Sequence, residues 1–452
     1  MATKRKFWNV FDGMEGDKVV WIIVILLMLI SVLCMFSSTS RLLEGDQSRL
    51  NMVVDQIVLV GMGLAVIIIL YNIRSMKFLR ACSKWGFLLS LALLLVLISG
   101  IKTPLVSSIE LNGARRIIRV AGFQVHVFEV VKVAMVMYLA WAIDAFKKKE
   151  LKGPRKPIWQ KVLYIYVPFL VTFLLIIPGS NSSALFIGGI MFITILIGGG
   201  SFKDLAILLL AGTLALGSCV AIYKLSDGKY MERIGTGLSR IFSDEDYESK
   251  VLASPAGSRD YYESLDKIRQ PYSAKIAVHE GGLIGKGPGS STQRYVVPDI
   301  SEDYMYSFII EEYGLFGGLV MIILYISLMA RGSRIVRNCG NDLYAKLTVG
   351  GLSLLITLQA FLHMFVNTDI GPMTGQTLPL VSHGSSAFLC FSFAFGIILS
   401  ISRIAKKKMD REQKAAEPLV ETHYVQEGLG DLEDFENGRN MDELMEEDYD
   451  IQ

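Results

Sequence analysis

Asp303 lies where a polar run, Pro298-Asp299-Ile300-Ser301-Glu302-Asp303-Tyr304, gives way to an apolar one. A carboxylate there can stabilise a first helical turn, because the N-terminal end of a helix is positive. It can equally accept a proton from a sugar hydroxyl as a general base. Glu311, eight residues on, lies about two helical turns deeper. With Glu312 it puts carboxyls inside an apolar stretch, where such groups are costly and face a cavity or a partner. Glu129 and Lys132 are three apart and share a helix face, either as an ion pair inside a bundle or as the polar lining of a groove. Arg115 and Arg116 are adjacent. Paired guanidiniums bind phosphate oxygens bidentately and suit a pyrophosphate.

Other segments carry weaker signals. Gly281-Gly282-Leu283-Ile284-Gly285-Lys286-Gly287-Pro288-Gly289 is dense in glycine. It is a turn signal rather than a P-loop, since Glu280 replaces the first glycine and no Ser or Thr follows Lys286. The run from Gly371 to Ser386 mixes Gly, Pro, Ser382 and His383 beside an apolar stretch. Broken backbone at that depth is tolerated where it is buried in protein or lines a wet cavity. His363, within an apolar run, reads first as an interhelical hydrogen bonder. His279 and His383 are too far apart to argue a metal pair. The five cysteines form no spaced Cys/His framework, which points away from a disulfide scaffold or a zinc site.

The elements that position these residues are membrane spans. Of 452 residues, 52% are hydrophobic, and the net charge is only +2; a soluble domain needs more polar surface. Val19 to Phe36 has Ser31 as its one polar residue, too long an apolar run for a cleavable signal. A span needs roughly 20 apolar residues. The expected fold is an all-α polytopic membrane protein with about ten spans, near 19–37, 52–70, 85–101, 127–146, 162–178, 183–199, 204–223, 304–330, 347–367 and 385–403. Alternate connections are basic: Lys4 to Lys6, Arg74 to Lys84, Lys147 to Lys156, Arg331 to Arg337, and Arg403 to Lys408. The positive-inside rule puts these sides and both termini in the cytoplasm. The outer segment 101–126 breaks the rule with Lys102, Arg115, Arg116 and Arg119, as a ligand site would. The domain reading is a cytoplasmic segment 1–18, a membrane domain 19–403 with a long outer loop at 224–303 between spans 7 and 8, and a cytoplasmic tail 404–452. From Asp431 on, the tail has ten acids and one base, which implies disorder.

Together these pieces resemble the SEDS family (shape, elongation, division and sporulation), whose members include FtsW, RodA and SpoVE. Asn112-Gly113-Ala114-Arg115-Arg116 is similar to the family's NGARRW, and Glu129 and Lys132 fall at the end of its QPSExxK. Gly282 to Ser290 with Gln293, Pro298, Asp303 and Glu311-Glu312-Tyr313-Gly314 follows a third motif, and Thr374 to Ser386 resembles TGxxLPxxSxGGSS. His126-Val127-Phe128, Ser273-Ala274, His383 and Ser385 depart from the pattern. The wording around Thr374 is closer to FtsW-like than to RodA-like members, which favours division over elongation.

The resemblance implies a peptidoglycan glycosyltransferase of the bacterial inner membrane that polymerises lipid II. It implies Asp303 as the catalytic aspartate, with Arg115, Arg116, Glu129, Lys132, Lys286 and Ser382 in or near the substrate groove. It also implies a class B penicillin-binding protein and other division proteins as partners, with no nucleic acid. A divalent cation such as Mg2+ or Mn2+ is one candidate for balancing the leaving pyrophosphate. A lipid II flippase and a divisome scaffold are the rival readings.

Overall fold

The structure, a computed structural model, describes residues 15–38, 49–103, 106–111, 114–120, 122–226, 235, 247–297, 300–371 and 374–436. The segment 1–14, Asn112, Gly113, Pro298 and the acidic end from 437 lie outside them. Ten helices of membrane length follow one another among the described residues: α1 (Lys18–Ser38), α2 (Arg49–Tyr71), α3 (Met76–Ser99), α4 (Val127–Lys147), α5 (Pro157–Ile176), α6 (Asn181–Ile197), α7 (Phe202–Leu225), α10 (Met305–Asn338), α11 (Leu343–Asn367) and α12 (Ser385–Glu436). Eight are long and apolar enough to cross a bilayer by composition alone. Of the other two, α6 has 17 residues, and α4 carries Glu129, Lys132 and Asp144 in its 21. The long segment before α10 holds α8 (Tyr247–Ala253) and α9 (Arg259–Gly281).

The segment 101–126, expected as a plain loop, holds a three-stranded antiparallel sheet: β1 (Val106–Leu111), β2 (Ala114–Val120) and β3 (Phe123–His126). Ser108 pairs with Ile118, and Ile118 with Val125. The β-branched Ile117 and Ile118 are buried, Arg116 is half-buried, and Arg115 and Arg119 stay more exposed, so the sheet covers the bundle.

Spans α11 and α12 form the centre, with 61% and 78% of their apolar windows buried, whereas α7 is 17% buried and lies at the rim. Helix α12 continues to Glu436, so 404–436 is helical where a disordered tail is expected. Arg411, Glu412, Gln413, Lys414, Ala415 and Ala416 are strong helix formers that let the last span run on.

Ion pairs fix which helix ends share a side. At the start of α1, Asp17 accepts from the amides of Val19 and Val20 and pairs with Arg331 of α10 at 2.6 Å. Glu15 pairs with Arg403 and Lys407 of α12, each at 2.7 Å; these two bases hold its carboxyl below the usual range. Arg80 of α3 bridges Asp144 at 3.2 Å and Asp342 at 3.0 Å. The start of spans 1, 3 and 9 and the end of spans 4, 8 and 10 therefore share one face. That is the alternation expected from the basic loops.

Helix α10 is broken at Gly314, which adopts φ 69° and ψ −174°. The glycine-rich stretch fills the break with its own backbone. Lys286 N donates to Glu311 O and Gly287 N to Glu312 O, both at 2.9 Å, and Leu315 N donates to Gly282 O at 2.9 Å. Backbone freed at membrane depth must be satisfied from within the protein, and these bonds do so. A Cβ on Gly314 would lie 2.2 Å from Leu283 O, and one on Gly285 2.2 Å from Glu312 O. Gly314→Ala is therefore expected to undock the loop and lower the thermal midpoint by several degrees or abolish folded yield. Fluorescence-detected size exclusion after heating measures this; an unchanged midpoint would refute the docking role.

Candidate active site

The start of α10, the loop before α12, the heads of α4 and α6 and the C-terminal end of α11 converge on one face. Asp303 is half-buried. Its Oδ2 is aimed at Gly375 so closely that a Cβ there would lie 3.4 Å from it. Gly375 has φ 59°, a conformation that glycine adopts without steric cost. The re-entry turn and the loop are stitched together: Ser382 Oγ donates to Glu302 O at 2.7 Å and accepts from Leu378 N at 2.9 Å, and His383 N donates to Ser301 O at 2.8 Å. Ser382 thus fixes the loop that Asp303 faces.

The next residue, Gln376, reaches the buried ion pair. Lys132 is 1% exposed. Its three donors are matched by Glu129 Oε1 at 2.6 Å, Gln359 Oε1 at 2.7 Å and Gln376 Oε1 at 2.8 Å. An ammonium buried this far requires such pairing. Glu129 Oε2, Thr374 Oγ1 and Thr377 Oγ1 are buried around the same loop without a hydrogen-bond partner among the described residues. Polar atoms left this way are what a polar ligand would satisfy.

Arg116 approaches from the sheet, its Nε donating to Gly179 O at 3.2 Å. Gly179 leads into the N-terminus of α6, capped by Ser180. From there Ser182 Oγ donates to Thr374 O, and Gln376 Nε2 donates to Ser183 Oγ, both at 3.3 Å. Arg116, the positive end of α6, Thr374, Gly375 and Asp303 thus form a continuous rim. Arg115 turns the other way: it donates to Ile98 O at 3.1 Å and lies 3.8 Å from Glu110, lining a cavity of about 240 Å3 with Leu97, Pro178 and Gly179.

Lys286 belongs to a second polar cluster. Its Nζ contacts Glu280, Thr292 Oγ1 at 2.8 Å and Glu311 Oε1 at 2.9 Å. Burial would lower its pKa, but the hydrogen bonds to Glu280 and Glu311 outweigh that and hold it raised; Glu280 is lowered chiefly by its bond to Lys286. Glu312 accepts from Ser37 Oγ at 2.5 Å and from Gly289 N at 3.0 Å. Both buried glutamates therefore clamp the loop 286–294 onto α1 and α10. An apolar cavity of about 610 Å3 runs beside this clamp, between Leu33 of α1 and Phe316 and Met321 of α10; neither Asp303 nor Lys132 lines it.

Among the described residues no three His, Cys, Asp or Glu side chains group as a metal site.

Gln359 and Gln376 complete the Lys132 site, yet neither stands out singly in the sequence. Gln359, His363 and Asn367 recur every four residues on α11, a polar stripe on an apolar span that marks a face turned inward.

The family model described as "Cell cycle protein" (FTSW_RODA_SPOVE) matches residues 17–407. A probable peptidoglycan glycosyltransferase FtsW of Enterococcus hirae is 26% identical over 407 residues, covering 88% of this chain and 96% of the relative. Stage V sporulation protein E of Bacillus subtilis is 26% identical over 360 residues, covering 78% and 87%. Among solved structures, a chain from a peptidoglycan synthase complex that coordinates polymerization and crosslinking aligns with a TM-score of 0.61 at 21% identity, covering 86% of this chain and 98% of that one. The rod shape determining protein RodA of Thermus thermophilus aligns with a TM-score of 0.56 at 19% identity, covering 87% and 98%. At those identities the two structures speak to the fold.

Proposed function

The chain belongs to the cell cycle protein family of FtsW, RodA and SpoVE, and from that membership and the Asp303 site we propose that it polymerises peptidoglycan glycan strands from lipid II during division. Two lipid-linked disaccharides lie side by side over the rim. The Asp303 carboxylate accepts the proton of the acceptor's sugar hydroxyl as its oxygen attacks the anomeric carbon of the donor. The bond from that carbon to the pyrophosphate breaks, and polyprenyl pyrophosphate leaves with the bonding electron pair. Attack opposite an α-linked pyrophosphate yields a β-linked strand, so inversion needs one base and no covalent intermediate.

The observation that carries this reading is that Asp303 faces Gly375, whose neighbour Gln376 holds the buried Lys132–Glu129 pair. Arg116 and the N-terminus of α6 supply positive charge for the diphosphate at the same rim. Lys286 supports the site through the loop it clamps. Both termini lie in the cytoplasm, on the face that carries the Asp17 and Glu15 ion pairs. The reading also includes a class B penicillin-binding protein that cross-links the product strands.

The test is to purify the chain with that transpeptidase and supply labelled lipid II in detergent and in liposomes. Glycan strands on a gel, lost when lipid II is withheld, are the expected result. Lipid II scrambling across the liposome without any polymer would overturn the reading in favour of a flippase.

A further inference from the structure

The N-terminus of a helix leaves its first amides without intrahelical partners, and a side chain just before the helix normally takes the second or third of them. Asp303, two residues ahead of Met305, is of the residue type that does this. In α10 those amides are taken from another span. Tyr306 N donates to His363 Nε2 at 3.3 Å, and Ser307 N donates to Asn367 Oδ1 at 3.0 Å. Tyr304, at the cap position, makes no side-chain cap bond. His363 and Asn367 are each 1% exposed and lie one turn apart on α11.

The same two side chains also hold what lies on either side of the carboxylate. Asn367 Nδ2 donates to the backbone carbonyl of Asp303 at 3.0 Å. His363 Nδ1 lies 2.7 Å from Gln376 O, so it must carry the proton, which leaves Nε2 to accept from Tyr306. Neutral His363 in that one tautomer therefore joins the start of α10 to the loop residue that binds Lys132. Asn367 is oriented equally strictly: reversing its amide would set donor against donor at Ser307 and acceptor against acceptor at Asp303.

We propose that His363 and Asn367 are positioning residues for the transferase reaction: they cap α10 and fix the Asp303 carboxylate against Gly375. This rests on the reading of Asp303 as the base. A catalytic group displaced by about 1 Å can lose on the order of 100-fold in rate. His363→Leu and Asn367→Ala keep the apolar packing but release the turn.

The test is steady-state lipid II polymerisation by the purified chain with its transpeptidase, with thermal midpoints measured alongside. In both variants kcat falls about 10- to 100-fold, while KM stays within about threefold of the parent, since uniform binding is untouched. His363→Gln, whose amide oxygen can still accept from Tyr306 N, recovers much of the loss. Asn367→Asp retains the shape and the acceptor for Ser307 but sets an oxygen against the Asp303 carbonyl; its kcat falls with that of Asn367→Ala. A purely structural role would lower the midpoint and the amount of active enzyme without changing kcat per folded molecule, and His363→Gln would then restore yield alone. Folded His363→Leu and Asn367→Ala with parental kcat, or a loss confined to KM, would overturn the proposal. Asp303→Asn assayed in parallel separates the two ideas. If it polymerises at the parental rate the base assignment fails; if it is inactive while both α11 variants run at full rate, the positioning assignment alone fails.

Discussion

Asp303→Asn, purified with its transpeptidase, is expected to polymerise lipid II at least 100-fold more slowly than the parent, within the ~10²–10⁴-fold range of general-base removal. The substitution changes one atom type and no volume. The backbone carbonyl of Asp303 still receives Asn367, and the amides of Tyr306 and Ser307 remain bound to α11. The fold, the loop and lipid II affinity should be retained. Only the ability to take up a proton is removed, so the loss belongs in kcat and KM should hardly move. Full activity in a folded Asp303→Asn protein would remove the carboxylate from the chemistry.

Lys132→Met should be the most destabilising substitution in the membrane domain. Methionine fills a similar volume but leaves the Glu129 carboxylate buried without its cation, and two amide oxygens, of Gln359 and Gln376, without their donor. Among the described residues Glu129 Oε2 already has no hydrogen-bond partner. Breaking a buried pair by removing one member costs about 3–5 kcal/mol. The thermal midpoint of the purified protein should fall sharply and polymerisation should drop, since Gln376 loses its bond to Lys132 and keeps only those to Ser183 and His363. Adding Glu129→Gln removes the stranded charge and should recover at least half of the stability without recovering activity. A single Lys132→Met variant as stable as the parent would show that the ammonium is not a buried charge held by this cluster.

Much of the scaffold was legible in the sequence because a bilayer imposes length and charge rules on every span. The ten apolar runs and the alternating basic connections are physical requirements, and the ion pairs of Asp17, Glu15 and Arg80 gather the helix ends that those rules place together. Within the site, the spacing of Glu129 and Lys132 announced their contact because three residues bring side chains to one helix face. The rest depended on tertiary proximity. Glu311 and Glu312 face partners, as acids in an apolar span do, and Glu312 also borders the cavity of about 610 Å3, but that the partner is the loop 286–294 cannot be seen in one dimension. The glycines at 282–289 signalled a turn, whereas their use is close approach to a helix broken at Gly314. The strands of 106–126 are short and carry arginines, so they read as a loop with a ligand. Arg115 and Arg116 are neighbours in sequence but alternate across β2, which is why Arg116 borders the rim while Arg115 lines the cavity of about 240 Å3 beside Leu97 and Gly179. Gln359, His363 and Asn367 had a signal, the four-residue stripe on α11, that becomes meaningful once the amides at the start of α10 are seen to need partners.

The most direct measurement is a structure of the folded Asp303→Asn protein with its transpeptidase and bound lipid II. The substrate-bound geometry should place an acceptor sugar hydroxyl within about 3 Å of the substituted side chain at position 303 and the donor's diphosphate against Arg116 and the N-terminus of α6. A headgroup bound elsewhere, with residue 303 beyond reach of any sugar hydroxyl, would contradict the account.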